Sequence, residues 1–397
     1  VAGNKYVLNP KIVKSVNYPS MGADPEFFFK RDDGVAMNAD YFLPHRTKKK
    51  QIDGSNVTLF FDGFQGEMNF SSGGCREGVL RRIRNGLAGA HNVALAKSKK
   101  DGVKYQVALE STVSVEADIL AAAHEEAREF GCDPDFDAYS GSANPPGPDA
   151  EDHLFRYSGG HIHMGATNFD AHAVKYMFQD KAIMKFVQLM DILVGIPLVI
   201  LDRDEGSTTR REIYGKAGCY RKQKYGVEYR VPSNFWLKSP ELAGFALGLC
   251  RFAFGVAHQN LEKYFFNIVD QDAVRYAIDM NDYDVARELW SIMKHNVVAA
   301  ATAGRVDVLN TSYVRRFNDG QSELMTDFPG YVLFEFLAHK GIENFFDSWT
   351  REWSITGSKP HSSGWFTGMT QRIWDKGFFS EFVDFYPASK ELDHVAF

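Results

Sequence analysis

The chain has 397 residues, 44% of them hydrophobic and 24% charged, which are the proportions of a globular protein with room for one large domain or two. A net charge of -6 excludes general nucleic-acid binding. The longest apolar runs are broken by Gln188 and Asp191 and by Arg251, which excludes a membrane span of about 20 apolar residues. No leader is expected at the N-terminus, and the four cysteines, Cys75, Cys132, Cys219 and Cys250, have no Cys-x-x-Cys spacing. They read as reduced structural thiols of a cytoplasmic protein.

Residues 1–20 read as an arm, and 21–70 as short strands that include "GADPEFFF", "GVAMNADYFLP" and "VTLFFDGFQGEMNF". The "HRTKKKQIDGS" stretch between them reads as an exposed basic loop. Val79, Leu80, Ile83, Leu87, Ala90 and Ala94 recur at helical spacing, which predicts a helix over 76–97. A strand at 104–116, a helix at 117–130 capped by Gly131, and a loop at 141–149 follow. "LFRYSGGHIHMG" reads as a strand, about 171–194 as a helix followed by "IPLVILD", 219–231 as a strand, and 239–266 as a long apolar helix. Beyond 267 the pattern is mostly helical. The expected organisation is a core over 1–266 and a helical, aromatic-rich extension over 267–397, with no linker between them.

Four polar pairs share one spacing. Asp24 and Glu26, Glu67 and Asn69, His161 and His163, and Glu228 and Arg230 each stand two residues apart, so each pair shares one strand face while apolar residues take the other. One such pair is what any half-exposed strand gives. Four pairs on one sheet would gather carboxylates, imidazoles and an arginine on a single polar face. Two buried acids as close as Asp24 and Glu26 need compensating charge. A carboxylate-rich set with little sulfur favours Mg²⁺ or Mn²⁺. The run Arg210, Arg211, Lys216, Arg221 and Arg230 suits phosphate, so the pattern points to a metal–nucleotide site on a sheet face. Glu110 and Glu116 are further possible ligands, with solvent exposure the expected reading for both. No Gly-x-x-x-x-Gly-Lys-Ser/Thr loop and no Gly-x-Gly-x-x-Gly occurs.

In order, "GADPEFFF", "DGFQGEMNF", "FGCDPDFDAY", "SGGHIHMG" and "RREIYGKAGCYRKQKYGVEYRVPSNFW" resemble the phage-encoded carboxylate–amine ligases, the phiEco32-like type 2 amidoligases of the glutamine synthetase superfamily. The resemblance implies an α+β glutamine synthetase-like core with a mainly antiparallel curved sheet. It implies an ATP-dependent ligase that joins a carboxylate to an amine through an acyl phosphate, in the host cytoplasm if phage-encoded. Asp24, Glu26, Glu67, His161 and Glu228 would hold divalent metal. His163, Arg211, Arg221 and Arg230 would bind the nucleotide, and Arg221, Arg230 and Lys216 would act on the transferring phosphoryl group or the substrate carboxylate. The substrate could be a small molecule, a peptide or a protein, with no nucleic acid or membrane involved. The pattern identifies neither the base for the amine nor the oligomeric state. Two other readings stand beside this one: a phosphotransferase for guanidino or carboxylate groups, and a non-enzymatic phage structural or accessory protein that keeps the fold. A hydrolase built on His-x-His would leave the arginines unexplained.

Overall fold

Only Asp24-Pro25 separates strand β1 (Ser20–Ala23) from β2 (Glu26–Arg31), and the chain changes sheets at that dipeptide. Proline has no N–H to give a ladder and restricts the residue before it, so a strand is readily interrupted there. The computed structural model describes residues 19–302, except 53–56, 74–75, 129–134, 146–152, 167–168, 171, 173, 203 and 239, together with 312–316 and 322–326.

The remaining strands are β3 (Ala36–Met37), β4 (Lys50–Gln51), β5 (Val57–Asp62), β6 (Gln65–Phe70), β7 (Tyr105–Ala108), β8 (Thr112–Ser114), β9 (Phe136–Asp137), β10 (Phe155–Tyr157), β11 (Ile162–Gly165), β12 (Cys219–Gln223), β13 (Gly226–Tyr229), β14 (Ser312–Arg316) and β15 (Ser322–Thr326). One sheet runs β1-β11-β13-β12-β9 and a second β3-β2-β6-β5-β4, with β7 also on β2, while β8 and β10 pair apart from both. The pairings within both are antiparallel. The expected α+β class with a mainly antiparallel sheet is what the structure has. The four polar pairs, however, are divided between two sheets that meet at Asp24-Pro25.

Helix α1 (Arg76–Asp101) covers β5 and β7 with the predicted stripe, and Val79, Leu80, Ile83, Leu87, Ala90 and Ala94 are all buried. Two short helices follow, α2 (Ala117–Ala121) and α3 (Glu125–Arg128). Helix α4 (Asp180–Met190) passes through a π-helical turn, Asp191–Gly195, into α5 (Ile196–Leu201), so "IPLVILD" continues the helix. Asp180–Leu201 is long and apolar enough to cross a membrane, yet 83% of its apolar window is buried inside the fold.

Next come α6 (Gly206–Ile213), α7 (Pro240–His258), α8 (Lys263–Phe266), α9 (Gln271–Asp279) and α10 (Tyr283–Thr302). Val274, Ala277, Ile278, Leu289 and Trp290 of the last two join the same hydrophobic core as Val227 and Tyr229. β14 and β15 form a hairpin within the stretch expected to be mostly helical. The rest of that extension, 303–311, 317–321 and 327–397, lies outside the described residues, as do Cys75 and Cys132. Cys219 and Cys250 are buried free thiols.

Candidate functional site

"LFRYSGGHIHMG" breaks into two strands, β10 and β11, at Gly159-Gly160, where the backbone is closely approached. A Cβ on Gly160 would lie 2.4 Å from the Ser233 carbonyl oxygen, and one on Gly159 would lie 2.3 Å from His161 Nε2. This segment ties β11 of the first sheet to β2 of the second. The Gly159 N–H donates to the Glu26 carboxylate, and the Glu26 N–H donates back to the Gly159 carbonyl. Strand register then aligns Gly22, His163, Glu228 and Arg221 across β1, β11, β13 and β12.

Asp24 lies two residues beyond Gly22, just past the end of β1. Its Oδ1 is 3.4 Å from His161 Nδ1 and 3.0 Å from His163 Nε2, and His161 Nδ1 is 3.9 Å from Glu228 Oε1. Asp24, His161 and Glu228 each offer a ligand atom, and all three atoms lie within 4.8 Å of one another. Burial opposes ionisation of Asp24, but the imidazoles beside it, His163 foremost, hold its carboxyl far below the usual range. Burial and the Arg230 charge push His161 down to about 4, so its ring is neutral. The Tyr214 hydroxyl accepts from Arg230 Nη2 and lies 2.7 Å from His161 Nε2; with the ring proton on Nε2 it accepts that N–H as well, which leaves the Nδ1 lone pair facing the two carboxylates. A neutral imidazole oriented by a hydrogen bond at its far nitrogen is the usual state of a metal-binding histidine.

Glu228, 1% exposed, accepts from Arg230 Nη1, from Arg221 Nη1 at 3.3 Å and from Gln223 Nε2 at 2.7 Å. Arg230 also reaches Asp135 Oδ2 through Nε at 3.3 Å. His163 stacks on Tyr225, with the rings 5.9 Å apart at 16°, and bonds its hydroxyl.

A second acid cluster lies on the other sheet. Glu26 pairs with Glu67 across β2 and β6, and Asp62 at the end of β5 joins them, with ligand atoms again within 4.8 Å of one another. Burial pushes the Glu26 carboxyl up to about 8, against the bond from Gly159 and with Asp62 and Asp24 adding to the rise. Burial and the neighbouring acids lift Glu67 well above its ordinary range too. Burial likewise raises Asp62, with Arg46 opposing it. Three carboxylates packed this closely repel one another unless protons or a cation sit between them. Their oxygens, and the mixed oxygen and nitrogen donors of the first cluster, fit Mg²⁺ or Mn²⁺ and offer no sulfur.

The structure therefore brings together Asp24, Glu26, Glu67, His161, His163, Arg221, Glu228 and Arg230. It does not bring Arg211 or Lys216 to them. Arg210 and Arg211 are successive residues of α6 and diverge. Arg210 is buried and donates to the carbonyls of Ser158, Arg230, Val231 and Pro232, while Arg211 donates to the Gly215 carbonyl at 2.7 Å and lies near Asp202. Lys216 is exposed and acts on Asp279. Asn69 is exposed, Glu110 pairs with Lys30, and Glu116 faces solvent. Sequence reasoning missed Asp62, Asp135, Tyr214, Gln223 and Tyr225. All five stood unassigned inside quoted motifs.

Behind the first sheet, Asp191 in the π-helical turn accepts from the Tyr229 hydroxyl and the Gly218 N–H, both at 2.7 Å. Burial pushes its carboxyl up to about 7. A folded pKa above the unfolded value means that its stabilisation is complete below about 4 and is lost as pH rises through about 7. Asp191→Asn should therefore gain on wild type by about 2 kcal/mol between pH 5 and pH 8. Parallel denaturant melts of the two proteins across that range in chelator check this, and a constant difference would refute it.

Residues 152–316 match the family described as Phage phiEco32-like COOH.NH2 ligase-type 2. The family resemblance is borne out over this segment. The matched segment holds His161, His163, Tyr214, Arg221, Glu228 and Arg230, whereas the acids of β2, β5 and β6 precede it. The match supports a carboxylate–amine ligase. No curated protein matches the chain. Among solved structures, the complex between Prokaryotic Ubiquitin-like Protein Pup and its ligase PafA is similar at 11% identity and a TM-score of 0.35, covering 96% of this chain and 69% of that chain.

Proposed function

We propose that the protein is an ATP- and divalent-metal-dependent ligase that forms an amide from a carboxylate and an amine. The observation that carries this reading is the pair of acid clusters, Asp24–His161–Glu228 and Glu26–Asp62–Glu67, meeting at Asp24-Pro25 beside Arg221 and Arg230. A substrate carboxylate oxygen attacks the γ-phosphorus of ATP, the bond to the bridging oxygen breaks, and ADP leaves. The amine nitrogen then attacks the acyl carbon of the acyl phosphate, phosphate departs with the electron pair of the C–O bond, and the nitrogen gives up a proton.

Metal bound by the two clusters would neutralise phosphate oxygens and relieve the repulsion among the acids. Arg221, half-buried on β12 beside Glu228, is placed to meet charge on the transferring phosphoryl group. Arg230 is held by Glu228, Asp135 and Tyr214 in one fixed orientation. His163, stacked on Tyr225 at the Asp24 end, borders the same space.

The test is ATP turnover with Mg²⁺ against a panel of carboxylates and amines, with mass analysis of products. The expected result is one ADP and one phosphate per amide, with turnover abolished by excess chelator. A phosphorylated acceptor without amide or free phosphate would identify a phosphotransferase instead. Full turnover in excess chelator would remove the metal from the proposal.

A further inference from the structure

Of the motif "FGCDPDFDAY", residues 135–139 are described, and they carry β9, the edge strand of the first sheet. Asp137 pairs with Cys219 of β12, and Phe136 with Tyr220. The chain then turns back on itself. The Asp137 N–H donates to the Ser142 carbonyl and the Asn144 N–H to the Asp135 carbonyl, both at 2.9 Å, and Ala143 bridges to Phe136. The Asp137 carboxylate accepts from the turn, at 2.8 Å from the Tyr139 N–H and 3.2 Å from the Ser140 N–H. Ala138, fully buried, donates to the Gly218 carbonyl at 3.0 Å and accepts from Gln188 of α4 at 2.8 Å. Main-chain bonds and Asp137 therefore close residues 135–144 and fasten them to β12 and α4.

The Asn144 side chain takes no part in that closure and reaches the site instead. Its Nδ2 donates to Asp135 Oδ1 at 2.9 Å and to Cys219 Sγ at 3.3 Å. Asp135 Oδ2 accepts from Arg230 Nε at 3.3 Å, and the Cys219 carbonyl accepts the Arg230 N–H at 3.0 Å. One amide thus braces both residues that hold Arg230 from this side, one by its side chain and one by its main chain. Asp135 has a donor on each oxygen, so turning its half-buried carboxylate breaks one of the two bonds. Glu228 and Tyr214 hold the far end of the same guanidinium.

We infer that Asn144 is a positioning residue for phosphoryl transfer: it fixes the Asp135 carboxylate, and through it the plane of the Arg230 guanidinium. This inference rests on the ligase reading above, in which Arg230 serves the transferring phosphoryl group. A donor oriented before the reaction needs no reorganisation in the transition state, and a small misplacement is felt in kcat. Without the amide, water takes over Asp135 Oδ1, the carboxylate turns, and Arg230 loses its brace at Nε.

The experiment measures turnover of ATP in Mg²⁺ with the best carboxylate of the panel above and hydroxylamine as the amine. Asn144→Ala should lower kcat at least tenfold, leave the KM for ATP within twofold, and keep the melting temperature within about 3 °C. Because Asn144 acts through Asp135, Asp135→Ala with Asn144→Ala should fall no further than Asp135→Ala alone. Should Asn144→Ala unfold, Asn144→Asp, which keeps the shape and sets a second acid against Asp135, should show the same loss of kcat. In parallel, NMR follows the Arg230 Nε–H, identified by its absence from Arg230→Lys. Its exchange with water should be at least tenfold faster in Asn144→Ala than in wild type. A kcat within twofold of wild type in a folded variant, additive losses in the double substitution, or unchanged Nε–H exchange overturns the inference. If wild type turns over no member of the panel, the ligase reading fails, and the exchange measurement alone decides whether Asn144 positions Arg230.

Discussion

Glu26→Gln is expected to reduce ATP turnover by roughly 100-fold or more, since a metal-binding charge contributes several kcal/mol at a phosphoryl transition state. The same substitution should raise the melting temperature of the metal-free protein. Glu26 is 6% exposed, faces Glu67 across the ladder and has Asp62 beside it. Its carboxyl is pushed up to about 8 by burial, so stability is present at low pH and is lost as pH rises from about 4.5 through 8. Glutamine removes that loss while keeping an oxygen for the Gly159 N–H. The gain in chelator should reach roughly 2–4 kcal/mol near pH 8. Added Mg²⁺ should then stabilise wild type more than the variant, because a ligand that binds only the folded state adds stability that rises with the logarithm of its concentration relative to Kd. Melts with and without Mg²⁺ measure both effects. A variant that keeps full turnover, or one that loses stability in chelator, would contradict the assignment of Glu26 to a metal-binding set.

Arg230 should show the second large effect, on two quantities at once. Side-chain parity alone presents Arg230 as a phosphate contact whose loss spares stability. The structure surrounds it with Glu228, Asp135 and Tyr214 at 3% exposure. Breaking a buried ion pair from one side costs ~3–5 kcal/mol because the partner charge is left behind. Arg230→Ala should therefore lower both turnover and melting temperature, and Arg230→Lys should do the same to a lesser degree, since one ammonium cannot reach three partners in fork geometry. Arg221 separates catalysis from stability. At 22% side-chain exposure, with Glu228 at 3.3 Å, Arg221→Lys should cut turnover at least tenfold with little change in melting temperature. Unchanged turnover in Arg221→Lys would place the phosphoryl contact elsewhere. Tyr214→Phe is a useful companion because it removes the hydroxyl shared by Arg230 and His161 and leaves their charges intact.

Several features of the site were legible without coordinates. The alternation in "YGVEYRV" put Glu228 opposite the apolar residues Val227 and Tyr229, and both of those are buried in the core. The proximity of Asp24 and Glu26 called for compensation, and the two prove to serve different clusters, one on each side of Pro25. The stripe from Val79 to Ala94 was a helix against a sheet. These conclusions follow from side-chain period, which is a property of the local backbone.

Other features were beyond the reach of a local rule. Arg211 stands near Arg221 and Arg230 in sequence, but helix α6 turns it toward the Gly215 carbonyl, while the hairpin of β12 and β13 brings Arg221 to Glu228. Asp62 carried no role inside "VTLFFDGFQGEMNF", and only the pairing of β5 with β6 and of β6 with β2 carries it to Glu26. The basic loop looked solvated until β4 was paired to β5 and Lys49 was laid over Phe60. By itself, then, the sequence determined which residue types face the same way on each strand, and with them the donor set on which the proposed metal-and-phosphate chemistry rests. The tertiary structure alone decided which of those faces meet. Register between strands far apart in the chain is set by turns and packing elsewhere, and a shift of one residue would have turned Glu67 or Glu228 to the opposite face.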